Sequence, residues 1–402
     1  MDRVRAILHR AVSSRAFVFL LVAAAFAVTT KGRLKLTPDS PMYLSLAEAI
    51  QHGRLTVFAT ATKANFTIIV FPSLIALART LAPVHWQLLL LAVNTVCAAV
   101  TAVLLVDVVG RVTSSSAAAA VALVFYICCF DIFAWVSYLV TDHLYAMIAT
   151  YAFVLSVRGV LDRDAPQPAR RVKLLVAIMV TVVTRPVGIV LVPAVLLTEW
   201  FFVGGPAKRN AKALWLLVGS GVAVAFLAHA YFFQDLSRWP FQWMRPKLQE
   251  YASRERAGEV VYDRHETFHR PPVTMTDFES IAADRFVRFL QITSTGYSRS
   301  HNVVAVFYYG PLYLLAVIGV IGAFRTGDER QRAVLQTALL WLVANATLSA
   351  ITTLDFDFRY RMPLMPQIIL LGAFGASRCF LNRGHPPLVP ASRACPSHPS
   401  NI

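Results

Sequence analysis

Charge is scarce in this chain, and acidic charge is the scarcest. Only 15% of its 402 residues are charged, and 22 acidic residues stand against 38 basic ones; soluble domains carry about 25% charge. Five cysteines (Cys97, Cys128, Cys129, Cys379 and Cys395) are present. They have no metal-ligand spacing and, lying in or beside apolar runs except for Cys395, give no disulfide framework. No internal repeat occurs. What fills the chain instead is apolar: 57% hydrophobic residues with a mean hydropathy of +0.57. Uninterrupted apolar runs of about 18–25 residues recur, the length a bilayer demands. This excludes an ordinary soluble domain and indicates an all-α polytopic membrane protein, one helical bundle carrying external loops. The net charge of +16 does not point to nucleic acid. The basic residues sit in short loops and at helix ends, as orientation signals and anionic-lipid contacts.

About ten spans are expected, near 15–31, 86–106, 116–138, 141–158, 173–184, 187–203, 213–233, 303–324, 332–352 and 363–381. The first run also fits a cleaved signal peptide, with arginines, an apolar core and small residues around Ala25-Phe26-Ala27. Five basic clusters read as cytoplasmic by the positive-inside rule: Arg3 to Arg15, Arg158 to Lys173, Lys208 to Lys212, Arg325 to Arg332, and Arg378 to Arg393. Both termini are then cytoplasmic. An even number of crossings must separate the first two clusters. A further apolar run at 65–82 would make that number odd. It is therefore expected to lie along the outer interface or to re-enter, which Pro72 and Arg79 within it suit. The outer loops are then 32–85, 234–302 and 353–362. Residues 1–385 form one transmembrane domain, and the Pro-rich 386–402 a disordered cytoplasmic tail. Within 234–302, Ile281 to Gln291 has the pattern of an amphipathic helix.

Ionisable residues at a membrane margin are costly and often functional. Asp39, Tyr43 and Lys63 fall in the first outer loop. Thr141-Asp142-His143 opens a span. Arg185 follows a short helix and precedes Pro186. Asp355, Asp357, Arg359, Tyr360 and Arg361 fill the last loop. Each has a bland alternative: Asp142 as part of a helix N-cap with Thr141, Arg185 snorkelling, Arg359 and Arg361 anchoring a helix to headgroups. Asp131, inside the 116–138 run, is expected to be satisfied by a neighbouring helix. His143 and His229 are expected to be structural, and His265, His269 and His301 have no ligand spacing. The first outer loop is also basic, against the orientation rule. An anionic ligand would justify that; so would a long loop that translocates regardless of charge.

In order along about 15–381, Pro38-Asp39-Ser40 with Tyr43, Thr141-Asp142, Thr184-Arg185-Pro186-Val187-Gly188 with Pro193, and Arg359-Tyr360-Arg361-Met362-Pro363 with Pro366 resemble the C-type (GT-C) glycosyltransferases. The likeness is to the aminoarabinose lipid A transferase and protein O-mannosyltransferase group. The family often has Asp-Glu where this chain has Asp39-Ser40. Its Lys-Pro pair is loosely echoed by Lys63-Ala64, and the large external C-terminal domain of some members has no counterpart after residue 381.

The resemblance implies transfer of a sugar from a polyprenyl-phosphate donor to a glycan, lipid or protein acceptor on the external face of the cell's inner membrane. Asp39 is the expected base, with Asp142 orienting hydroxyls. Arg359, Arg361, Arg185 and Lys63 would neutralise the leaving phosphate, and Tyr43 and Tyr360 stack or hydrogen-bond. One base and a preformed leaving group imply inversion by single displacement. No cofactor is needed in this scheme, although a divalent ion at Asp39 with Asp142 remains open. A lipid-linked-sugar flippase, or a surface-polysaccharide polymerase or ligase, is the alternative reading.

Overall fold

The computed structural model describes residues 11–37, 39–54, 68–164, 167–203, 275–294, 298–325, 328–352 and 358–381. Lys63, Asp355, Asp357, His229, His265, His269, the 213–233 run and the 386–402 tail lie outside them. The described elements are α1 Arg15–Thr30, α2 Ser40–Gln51, α3 Val70–Leu81, α4 Trp86–Thr113, α5 Ser116–Ile127, α6 Asp142–Leu161, α7 Pro168–Thr184, α8 Leu191–Thr198, α9 Met275–Phe289, α10 Arg299–Arg325, α11 Glu329–Thr352 and α12 Met365–Ala376, with short helical turns between them. The one extended pairing among the described residues is a parallel bridge between Lys35 and Tyr138. By length and composition α4, α6 and α10 can cross a membrane, and α5 with 130–137 is a fourth candidate if that pair, bent by 52°, counts as one span.

Helix ends follow from local chemistry. Ser14 and Ser115 cap α1 and α5, their hydroxyls accepting from the Phe17 and Ala118 amides at 3.3 and 3.2 Å, and so satisfy otherwise orphaned N–H groups. α7 stops at Thr184 because Pro186 disfavours helical geometry in the residue before it, and Arg185 is extended (φ −156°, ψ 133°). The span expected over 116–138 is broken instead. α5 ends at Ile127, Cys129 is extended, and two short turns (130–133 and 135–137) lead to an extended Tyr138.

The main core gathers α1, α4, α5, α6, α7, α8, α10, α11 and α12, with α6 buried on nearly every side. α10 and α12 approach backbone to backbone. A Cβ on Gly319 would overlap the Leu371 carbonyl, and one on Gly375 the Leu315 carbonyl. Small residues serve this purpose between apolar helices. α2 and α3 stand apart with a core of their own, in which Tyr43, Leu46, Phe71 and Ile75 pack on Leu90 and Leu139. α3 has 12 residues, about 18 Å of helix, and Arg79 at its end lies over the Trp86 ring of α4 at 4.8 Å.

Ion pairs mark one end of the bundle. Asp107 near the end of α4 meets Arg15, Arg111 and Arg158 at 3.2, 3.5 and 3.3 Å. Arg170 at the start of α7 grips Glu199, just after α8, through two bonds of 2.6 and 2.9 Å. Arg163 meets Glu329 at 2.9 Å, and Arg330 meets Asp164 at 2.6 Å. α7 and α8 are therefore a hairpin whose tip is Arg185, far from the Asp107 end.

Candidate functional site

At the opposite end, backbone bonds place the first loop. The Lys35 amide donates to the Ser137 carbonyl at 2.6 Å, and the Leu139 amide donates to the Lys35 carbonyl at 2.9 Å. The Ser40 hydroxyl donates to the Leu139 carbonyl at 3.3 Å and accepts from the Thr37 amide at 2.7 Å. Asn94 of α4 donates to the carbonyls of Val136 and Tyr138, both at 3.1 Å. The carbonyls and amide released by the break after α5 are thus paired inside the protein, as irregular backbone in an apolar setting requires. Asp39, next to Ser40, is thereby brought near the start of α6.

Asp39 is half-buried at the N-cap of α2. Tyr43, one turn on, is buried and packs edge-on against Phe71 with ring centroids 5.4 Å apart. Its hydroxyl is pushed up to about 12, first by burial; Arg185 and Thr141 pull it down, and Asp39 and Asp142 push it up. Tyr43 is therefore a neutral hydrogen-bonding group at physiological pH. Asp39, Thr141, Asp142 and Arg185 all act on the Tyr43 hydroxyl, so the five share one neighbourhood. Asp142 opens α6 and is buried, and Arg185 Nη1 donates to its Oδ1. Thr141 makes no side-chain cap. The Arg185 guanidinium also faces the Tyr145 ring at 5.9 Å, and its side chain keeps 12% of its surface exposed.

The second arginine is placed differently. Arg361 is 1% exposed. Its Nε and Nη2 donate to Asp131 Oδ2 at 3.0 and 2.8 Å, and its Nη1 donates to the Gln291 carbonyl and the Tyr313 hydroxyl, both at 2.8 Å. The Tyr309 ring lies 4.1 Å from its Cζ. Four of the five N–H bonds of a guanidinium are committed within the bundle. Asp131 is the residue expected to be satisfied by a neighbour, and its neighbour is Arg361. Arg359 and Tyr360 belong to the same 3-10 turn, Phe358–Leu364.

The structure thus joins Asp39, Tyr43, Asp142 and Arg185 and separates Arg361 into a buried pair. Asn94, Tyr145, Tyr309 and Tyr313 were not singled out by sequence. Asn94 carried a readable signal, a lone amide inside an apolar run. The tyrosines carried none beyond their type. His143 is buried with no hydrogen-bond partner for Nε2. Among the described residues no three His, Cys, Asp or Glu side chains gather as a metal-ligand group. Compared with family models, curated proteins and solved structures, the chain matches none.

Proposed function

We propose that the chain is a membrane glycosyltransferase that moves a sugar from a polyprenyl-phosphate donor to an acceptor on the external face. The observation that supports this reading best is the meeting of Asp39 with Asp142, Tyr43 and Arg185 at one end of the bundle, opposite the arginine-rich Asp107 end. By the positive-inside rule the Asp107 end is cytoplasmic, so the Asp39 cluster faces out. This reading keeps ten spans with both termini inside, among which α4, α6 and α10 are long and apolar enough to cross. α2 and α3, with a core of their own, then lie along the outer interface.

The acceptor hydroxyl attacks the anomeric carbon and gives its proton to Asp39. The bond from that carbon to the phosphate oxygen breaks, and its electron pair leaves with the lipid phosphate. A positioned base contributes roughly 10²–10⁴-fold. Arg185 stabilises the phosphate charge, held in place by Asp142, in a site where donors act at low dielectric. Lys63 and Arg359 supply further positive charge. Arg361 anchors the turn that carries Arg359 and Tyr360. Asp39→Asn is expected to lower transfer from labelled polyprenyl-phosphate sugar by about 10²-fold or more in membranes holding wild-type amounts of protein. Activity near wild type would remove Asp39 from the base role.

One observation favours a second reading. The break after α5 begins 12 residues along that helix, about 18 Å from its inner end, with the Asp131–Arg361 pair beside it. Broken helices with ionisable pairs at depth are a feature of transporters. Translocation of a lipid-linked sugar across vesicles by purified protein, without sugar transfer, would favour a flippase.

A further inference from the structure

One side of α10 is an exposed apolar stripe from Val303 through Phe307, Leu314 and Val317 to Phe324, among the described residues. Near the start of the helix this stripe is cut by a groove of about 450 Å³, lined by Thr293, Arg299, Asn302, Val303, Val306 and Phe307. A two-bond staple builds its polar end. The Ser294 amide donates to Asn302 Oδ1 at 3.0 Å, and Asn302 Nδ2 donates to the Ser294 carbonyl at 2.8 Å. The staple fixes the 291–294 segment across the first turn of α10. Arg299 is exposed there. From Arg299, the apolar wall runs down α10 through Val303, Val306 and Phe307, about 12 Å of helix at 1.5 Å per residue.

A cation and a hydroxyl at one end, followed by an apolar wall open to the bilayer side, match an amphiphile with an anionic head. We propose that this groove seats an anionic phospholipid of the surrounding bilayer, its phosphate on Arg299 and one acyl chain against Val306 and Phe307. A phospholipid fits better than the sugar donor for two reasons. The groove shares no residue with the Asp39–Asp142–Arg185 cluster, and it opens on the stripe where bilayer lipid is most concentrated. The proposal rests on the chain spanning a membrane, not on sugar transfer. Its consequence is local: Thr293 lies two residues from Gln291, whose carbonyl holds Arg361. A seated lipid therefore steadies the segment that fixes the Asp131–Arg361 pair.

The test uses the purified full-length protein, stripped of lipid in detergent and read by native mass spectrometry. Phosphatidylglycerol is expected to be retained about tenfold more tightly than phosphatidylcholine, whose phosphate is the same but whose choline cation offsets its charge and repels Arg299. Arg299→Gln should bring that ratio to about one, and Val306→Trp, which fills the groove, should weaken retention of both lipids. Both substitutions fall on exposed or half-exposed surface, so the fold survives them. Equal retention of the two lipids by the wild type, or an unchanged ratio in Arg299→Gln, overturns the proposal. Displacement of phosphatidylglycerol by millimolar inorganic phosphate would reduce the groove to a site for the head alone and overturn it. Preferential displacement by polyprenyl phosphate would make it the donor's own seat, and would also overturn it.

Discussion

The Arg361–Asp131 and Arg185–Asp142 ion pairs differ in how much of each is left for anything else. Arg361 and Asp131 are sealed. Their side chains are 1% and 6% exposed, and two tyrosines and a backbone carbonyl close the guanidinium in. Arg185 donates to Asp142 and is 12% exposed in its side chain, with a half-buried Asp39 and the Tyr43 hydroxyl nearby. Desolvating an ion pair costs several kcal/mol per ion, and the cost is recovered only where the remaining donors find partners. The Arg361 pair has spent its donors on satisfying itself, which makes it an anchor. The Arg185 pair still has exposed surface, so it can answer to a third charged or hydroxylic group.

The largest effect is expected where the sealing is most complete. Arg361→Ala leaves Asp131 buried and unpaired, and should cost about 3–5 kcal/mol, read as a lower Tm and reduced yield from membranes. The double variant Asp131→Leu with Arg361→Met should recover a good part of it, since apolar pairs of similar volume replace buried ions without penalty. A double variant no more stable than the single would mean that the break after α5 needs the charges themselves. Arg185→Ala comes next. It removes one partner from a less enclosed pair and should cost about 1–3 kcal/mol of stability. It should also lower sugar transfer by roughly 10²–10³-fold, the worth of one preorganised charge donor. A stability loss with transfer unchanged would make the two pairs alike, both structural.

The difference between the pairs was only partly legible in the sequence. Most helices were, because apolar runs bounded by arginines, prolines and serine caps declare their own length. α6 and α7 begin or end within a few residues of the positions expected. The break at 128–137 was not, because the segment holds neither proline nor glycine. What opens it is tertiary. Asn94 takes two carbonyls, Lys35 pairs with Ser137 and Leu139, and Ser40 takes the Leu139 carbonyl. Charge parity put Asp39, Asp142 and Arg185 on one face, but not the bond between Arg185 and Asp142. The partner of Arg361 was not legible either, since Asp131 lies 230 residues away and nothing in either local sequence names the other. Sequence ranked Arg361 ahead of Arg185 as a cation for the leaving phosphate; burial is what sets the two apart.

A pH measurement sharpens the comparison on its open side. Tyr43 ionises near 10 when unfolded and near 12 in place. Between these values the unfolded chain releases the phenolic proton while the native chain holds it, so stability falls as pH rises. Stability is untouched below about pH 10, and across the window the loss should amount to roughly 2–3 kcal/mol, at about 1.4 kcal/mol per unit. Tyr43→Phe should flatten that part of the profile. An equally steep fall in Tyr43→Phe would place the titrating group elsewhere and weaken the picture of a dry pocket beside Arg185.

The smallest effect belongs to the Asp107 end, which is the control for both pairs. Arg163 and Glu329 sit 2.9 Å apart on the surface, and Arg163 holds the Glu329 carboxyl below its ordinary range. A lowered carboxylate contributes stability at neutral pH that is lost as pH falls through its folded value. Glu329 is 72% exposed in its side chain, however, and water and salt screen such a pair almost completely. Glu329→Gln should therefore leave the melting temperature within the scatter of replicate melts from neutral pH down into the carboxylate range. A clear shift would mean that this end of the bundle is more enclosed than its exposure implies. The contrast between sealed and open pairs could then no longer be read from side-chain exposure alone.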